Sequence, residues 1–328
     1  MSIRSLYIIG NGFDLHHEIK SRYKDFSEWL KDNDFAVYQK IITLYGEEIV
    51  NDDWWSDFET SLGHLNVREI IEHHSWLNQP SDDDIEKMRA VDTMGGAWDI
   101  QTNVGETIEC IKSSFHRWID SLSPAKSELK IHIDSTDSYF INFNYTLTLE
   151  NTYDISPKQV CHIHGSYNDE EYIIGHGRSM EEIEEEARPY LEPYNNHIDP
   201  SEYGIDAIDD EITENTKQEM IAQVISIRKP VEKLIKKLDP LFEQLGEVET
   251  ITILGLSFSN VDMPYLKAIF ERIPLGARLT ISCRTKKDKE NINDKMKDYQ
   301  FKYKLVELDE LQIIKPYKLF EEERELIK

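Results

Sequence analysis

Leu6-Tyr7-Ile8-Ile9-Gly10-Asn11-Gly12-Phe13-Asp14 is the stretch that decides the fold. Four apolar residues, two of them β-branched, read as a strand buried on both faces, and a Gly-x-Gly turn follows at once. Gly10 and Gly12 allow a tight bend and bring bare N–H groups close to a ligand. The polar start of a helix comes next, which points further N–H groups and the positive end of a helix dipole at the same place. This order makes a candidate nucleotide-binding corner, with Gly10, Asn11, Gly12 and Phe13 as the contacting residues. A dinucleotide fingerprint also asks for a small residue three positions after Gly12, where this chain has Leu15. Asp14 sets a negative charge beside the turn. The competing reading is a tight strand-to-helix turn with no ligand.

Working outward, further strands are expected at 137–143, 160–164, 172–174, 250–255, 278–283 and 305–308. Helical segments alternate with them, and 216–246 reads as helices broken near Pro230 and Pro240. That alternation predicts an α/β fold, a Rossmann-like parallel sheet with helices on both faces. Residues 1–34 and 131–328 form its expected core. Residues 35–130 are too long for a simple crossover and read as a helical insertion containing Trp54, Trp55, Trp76, Trp98 and Trp118. Breaks are expected there at Pro80 with Asp82-Asp83-Asp84, and at Gly95-Gly96. Residues 168–220 hold 17 acidic side chains against 3 basic ones, a second, lid-like insertion within the core.

At 328 residues the chain can bury one large core or two modest ones. Its net charge of −26 argues against a protein built to grip nucleic acid, because phosphate contacts need Lys and Arg. There is no apolar run of about 18 residues, so no membrane span is expected. Cys110, Cys161 and Cys283 are too scattered for a zinc site or a disulfide framework. Together with the lack of a signal-peptide pattern, this predicts a cytoplasmic protein with reduced thiols.

In open parallel sheets the ligand sits at the carboxyl ends of the strands. Four expected strands here end in polar or glycine-bearing turns: Gly10-Asn11-Gly12, Asn144-Tyr145-Thr146, His164-Gly165-Ser166 and Gly255-Leu256-Ser257. Turns of this kind meeting at one edge favour a nucleotide site over a plain turn.

The set Ile-Ile-Gly-Asn-Gly-Phe-Asp-Leu (8–15), Trp-Ser-Asp-Phe-Glu (55–59), Phe-Asn-Tyr-Thr (143–146), His-Ile-His-Gly-Ser (162–166) and Leu-Gly-Leu-Ser-Phe-Ser-Asn-Val-Asp (254–262) resembles the AbiH-type bacteriophage abortive-infection family. More widely, the chain is similar to sirtuin-like NAD-binding domains, which share the first-strand glycine turn, the Asn-Tyr pair, the His-Gly-Ser and the late Gly-x-Ser. The first resemblance implies antiphage defence with a phage-derived trigger. The second implies NAD or a relative as ligand, with Asn144 and His164 as the catalytic pair. Departures are plain: the four-cysteine zinc module of deacetylase sirtuins is missing, so no metal is expected, and Glu18 stands where the AbiH-type pattern usually has glycine. Protein deacylation is therefore set aside and NAD cleavage retained.

Breaking the ribose–nicotinamide bond needs little acid help, because the leaving pyridinium is already cationic, and the transition state is oxocarbenium-like. His164 suits proton removal from water or a ribose hydroxyl. Asn144 offers an amide donor and acceptor to the ribose or the water. Asp14 would steady positive charge at the sugar. Tyr145, Thr146, Gly255, Ser257 and Asp262 complete the expected nucleotide contacts, with the N–H groups of Gly10–Gly12 and the Ser257 hydroxyl on phosphate. His162 and His164 share a strand face, and His162 reads as the more structural of the two. With His176, Asp14 and Glu59 they also support a second hypothesis, a metal-dependent nuclease or phosphoesterase. A third is a nucleotide-binding sensor without turnover, signalling through the helical insertion. A homo-oligomer is compatible with all three.

Overall fold

The computed structural model describes residues 3–78, 90–123, 125, 127–166, 172–187 and 203–311. Six strands form one sheet, all parallel: β1 (Ser5–Ile9), β2 (Ser138–Asn142), β3 (Val160–His162), β4 (Thr250–Leu254), β5 (Arg278–Ser282) and β6 (Tyr303–Val306). Their order is β3-β2-β1-β4-β5-β6, so the winding reverses between β1 and β4, as in a doubly wound Rossmann-like sheet. The expected α/β class is the one observed, with helices flanking the sheet. Central β1 is buried from Leu6 to Ile9, which is why its sequence is a continuous apolar run rather than an alternating one. Tyr7 and Ile9 turn to one face, where they pack with Phe13, Phe140, Leu149 and Leu254, and the Tyr7 and Phe140 rings stack at 4.8 Å.

The chain divides into two units. The first takes the described parts of Met1–Arg22, Ile119–Tyr172 and Val231–Lys328, and holds the sheet. The second takes those of Tyr23–Trp118 and Ile173–Pro230. It is helical and contains all six tryptophans of the chain.

The acidic stretch was expected to sit within the sheet-bearing core. Its part from Ile173 onward instead groups with the helical block, where helix Tyr203–Ser226 packs along helices Val67–Leu77 and Gly95–Ile100. Gly95-Gly96 is no turn but the start of that last helix. A Cβ on Gly96 would lie 2.1 Å from the Thr216 hydroxyl, so glycine here serves close helix packing. Tyr172–Ile174 forms no strand, and pairing in that stretch is confined to a bridge from His176 to Arg228. The break at Pro80 and Asp82–Asp84 lies outside the described residues. No helix among the described residues is long and apolar enough to cross a membrane.

Candidate functional site

The ends of β1 and β2 build the site. After Ile9 the chain turns at Gly10 into the short helix α1 (Asn11–His16), which carries Asp14 in its first turn. After Asn142 the backbone continues through Phe143 to Asn144, and the Asn142 side chain accepts the Asn144 N–H (3.0 Å), a local bond that bends the chain back. Asn144 is thereby aimed at β1, and its Nδ2 donates to the Gly10 carbonyl (3.1 Å). Two residues on, Thr146 Oγ1 donates to Asp14 Oδ2 (2.6 Å). Thr148, opening helix Thr148–Tyr153, donates to Asp14 Oδ1 (2.9 Å). The two hydroxyl oxygens are 3.0 Å apart.

Asp14 is 1% exposed. Burial pushes its pKa up to about 6, against the pull of hydrogen bonds from Thr146, Thr148 and Asn144 and of the nearby His162. Between pH 3.8 and 6 the folded chain therefore keeps a proton that the unfolded chain has lost, so this group's contribution to stability falls as pH rises through that window. The difference amounts to about 3 kcal/mol. Asp14→Asn has no such proton to lose. Relative to wild type, the variant should gain about 2 kcal/mol in urea-unfolding stability on going from pH 4 to pH 7. Parallel pH profiles for the two proteins would contradict the assignment.

Asp14 was expected to face the sugar. Its carboxylate lies beneath two hydroxyls and an amide, so it orients those groups rather than meeting a ligand directly.

His162 ends β3, and His164 lies two residues beyond it. His162 joins the network, its Nδ1 on the Asn144 carbonyl (3.2 Å) and its Nε2 on Glu150 Oε1 (2.9 Å). Both ring nitrogens are occupied, which makes His162 a strut between the end of β2 and helix Thr148–Tyr153. His164 is 3% exposed and stands among aromatic rings, edge-on to Phe143 and Tyr265 with centroids at 5.5 and 5.7 Å, and tilted to Tyr145 at 6.2 Å. The structure thus brings Asn144, Tyr145, Thr146 and Asp14 together, with His164 held against Tyr145.

The glycine turn has a different task from the one anticipated. The Gly10 N–H donates to the Leu254 carbonyl and that of Gly12 to the Gly255 carbonyl (2.9 and 2.8 Å), while the Phe13 N–H returns to the Gly10 carbonyl (3.0 Å). These amides hold the ends of β1 and β4 together and are not turned to a phosphate. Phe13 is fully buried in the core, so a cofactor contact from its side chain is withdrawn. Asn11 is exposed and locked to Ser21 by its amide (2.9 Å). At the end of β4, Gly255 donates to the Ser282 hydroxyl (2.7 Å), and Ser257 and Ser259 both reach Asp262 Oδ2 (3.3 and 2.9 Å). Asp262 therefore closes its own loop, and the exposed Ser257 is the member of that group accessible to solvent.

His16, His17 and His176 are structural. His17 lies buried between the Phe13 carbonyl and the Tyr153 hydroxyl, and burial holds its pKa down to about 4. His16 bonds the Leu129 carbonyl (2.9 Å). In the second unit His176 is engaged on both ring nitrogens, by the Val224 carbonyl and the Arg178 N–H, and is held down to about 4 by burial. Glu59 pairs with Lys229 (2.6 Å) and Trp55 is core, so Trp-Ser-Asp-Phe-Glu packs the helical unit. Among the described residues, no three or more His, Cys, Asp or Glu side chains are grouped to hold a metal ion.

Beside the Asp14 network lies a cavity of about 300 Å³. Its lining combines the hydroxyls of Thr146, Thr148 and Thr152 with the apolar Ile19, Ile119 and Leu122. The sequence reading missed this cavity and missed Thr148. The Thr-x-Thr spacing at a helix start was the available signal, since both hydroxyls of such a pair can converge on one acceptor.

A family model described as bacteriophage abortive infection AbiH matches residues 6–283, from β1 through β5. No curated protein and no solved structure matches the chain.

Proposed function

This chain belongs to the bacteriophage abortive infection AbiH family, and on that premise we propose that it defends by cleaving NAD or a related nucleotide at the glycosidic bond. The observation that carries the reading is the bond from Asn144 across to Gly10, which joins the ends of two neighbouring strands at the edge where α/β sheets bind ligands. The Asn144 amide nitrogen donates to the Gly10 carbonyl, and the same side chain is among the groups that pull the Asp14 pKa down. With Nδ2 engaged by Gly10, Oδ1 is the atom this reading gives to the ligand, accepting from a ribose hydroxyl or from the attacking water. Asp14 fixes that orientation from behind. His164, set in aromatic rings that exclude bulk solvent, takes the proton as water adds to the oxocarbenium-like sugar. Ser257 is the phosphate contact at the end of β4.

The test is incubation of the purified protein with NAD, alone and with extract of phage-infected cells, reading nicotinamide by chromatography. Wild type is expected to release nicotinamide. Asn144→Ala is expected to release it about 100-fold more slowly, with an unchanged circular-dichroism spectrum. No release in either condition, together with phage protection undiminished by Asn144→Ala, ends the hydrolase reading. Tight nucleotide binding without release replaces it with the sensor.

A further inference from the structure

We infer that Glu150 is a positioning residue for Asn144 and acts through His162, holding the imidazole with its Nδ1 hydrogen on the Asn144 carbonyl. What this does for catalysis rests on the nucleotide reading above, whereas the arrangement of hydrogens does not.

Asn144 is fixed at three points. Its N–H donates to Asn142 Oδ1 (3.0 Å), its Nδ2 donates to the Gly10 carbonyl (3.1 Å), and its own carbonyl meets His162 Nδ1 (3.2 Å). The first two bonds use amide hydrogens that are always present. The third depends on which ring nitrogen carries hydrogen, because a backbone carbonyl can only accept. On the other side of the ring, Nε2 lies 2.9 Å from Glu150 Oε1, and that contact needs a hydrogen as well, on either atom. The geometry therefore asks for two hydrogens, one on Nδ1 and one between Nε2 and the carboxyl group. With only one, lone pairs would oppose each other at Asn144 or at Glu150. Water gives little relief: both side chains are 11% exposed, and Glu150 Oε2 is buried without a hydrogen-bond partner among the described residues. Helix Thr148–Tyr153 thus braces the site twice, at the Asn144 carbonyl through Glu150 and His162, and at Asp14 through Thr148. Losing the first brace would let the Asn144 amide drift, and a misplacement of about 1 Å at a reacting centre can cost about 100-fold in rate.

The test is nitrogen-15 NMR of the full chain at pH 7, with the His162 ring and the Asn144 side-chain amide assigned through bonds to their backbones. Wild type is expected to carry hydrogen on His162 Nδ1. Glu150→Gln keeps the shape and can donate to Nε2, so it is expected to hold the ring with hydrogen on Nδ1 alone and to leave the Asn144 amide signals in place. Glu150→Ala is expected to mix the two ring tautomers, to shift the Asn144 amide signals, and to lower kcat for nicotinamide release about tenfold with little change in KM. A wild-type ring with hydrogen on Nε2 alone, or a Glu150→Gln ring that mixes tautomers, overturns the inference. So do Asn144 signals unmoved in a folded Glu150→Ala. If that variant does not fold, the wild-type and Glu150→Gln rings decide the matter. The expected ring and amide signals in a protein that releases no nicotinamide uphold this arrangement and count against the hydrolase reading alone. Release by a wild type whose ring carries hydrogen on Nε2 alone overturns this inference alone.

Discussion

Lys229→Met is expected to destabilise the helical unit by about 3–5 kcal/mol, the cost of leaving one member of a buried ion pair alone. The Lys229 side chain is 1% exposed and its ammonium lies 2.6 Å from Glu59 Oε1, itself 14% exposed. Removing the cation strands a carboxylate in a site that water barely reaches. Backbone bonds frame the position: the Lys229 N–H donates to the His176 carbonyl (2.9 Å), next to the bridge between His176 and Arg228. Loss of the pair should therefore loosen the crossing of the two segments as well. Because all six tryptophans belong to this unit, the urea midpoint followed by tryptophan fluorescence reports on it directly. Pairing Lys229→Met with Glu59→Leu should recover most of the loss, since two apolar groups of similar size leave no charge behind. A midpoint unchanged in the single variant, or a double variant worse than the single, would refute the account.

Gly255→Ala is expected to cost more than about 4 kcal/mol, or to prevent folding of the sheet unit, through a contact that no side-chain motion relieves. Gly255 sits at φ +67°, which a residue with a side chain adopts at a cost of about 1–2 kcal/mol. A Cβ there would come within 2.1 Å of the Phe13 backbone nitrogen and 2.5 Å of the Gly12 carbonyl carbon. The turns after β1 and β4 would have to separate, breaking the 2.8 Å bond from the Gly12 N–H to the Gly255 carbonyl. Gly276→Ala is the matched control. It lies in the same unit with no atom within 4 Å of the added carbon, and should change stability by no more than about 0.5 kcal/mol. Thermal unfolding followed by far-ultraviolet circular dichroism compares the two. Equal melting temperatures would show that the β1–β4 contact is not what Gly255 is for.

These variants also mark what the residue order makes legible. Leu6–Ile9 announces a doubly buried strand because nothing else uses four apolar residues ahead of Gly-x-Gly, and the same logic finds β2, β4 and β5. Asn144 is legible too, since a strand-end asparagine in a parallel sheet falls at the ligand edge, and it does reach Gly10. What escapes is partnership over distance. Glu59 and Lys229 are 170 positions apart, and neither carries a local mark of the other. The grouping of 173–230 with the first helical block depends on Gly96 meeting Thr216, again a contact without local trace. The Gly-x-Gly turn was misread for a related reason. A bend that admits a phosphate and a bend that admits another strand's turn ask for the same residues, and only Gly255 on the far side distinguishes them. For His162 and His164, strand alternation predicts a shared face but not that the strand ends at His162 or that Glu150 stands beside that ring.

The division of the chain sets an order of events at the ribosome. Strands β1, β2 and β3 emerge first, then the last of the helical residues at Pro230, and only afterwards β4. Until residues 250–254 are made, the most apolar strand of the protein has a bare flank on the side that β4 will fill, a ready template for a neighbouring nascent chain. The helical unit, complete twenty residues earlier, is born ahead of the sheet that interrupts it. A cell making this protein in a hurry would meet its hazard in that interval, in the unfinished middle of the sheet rather than at either end.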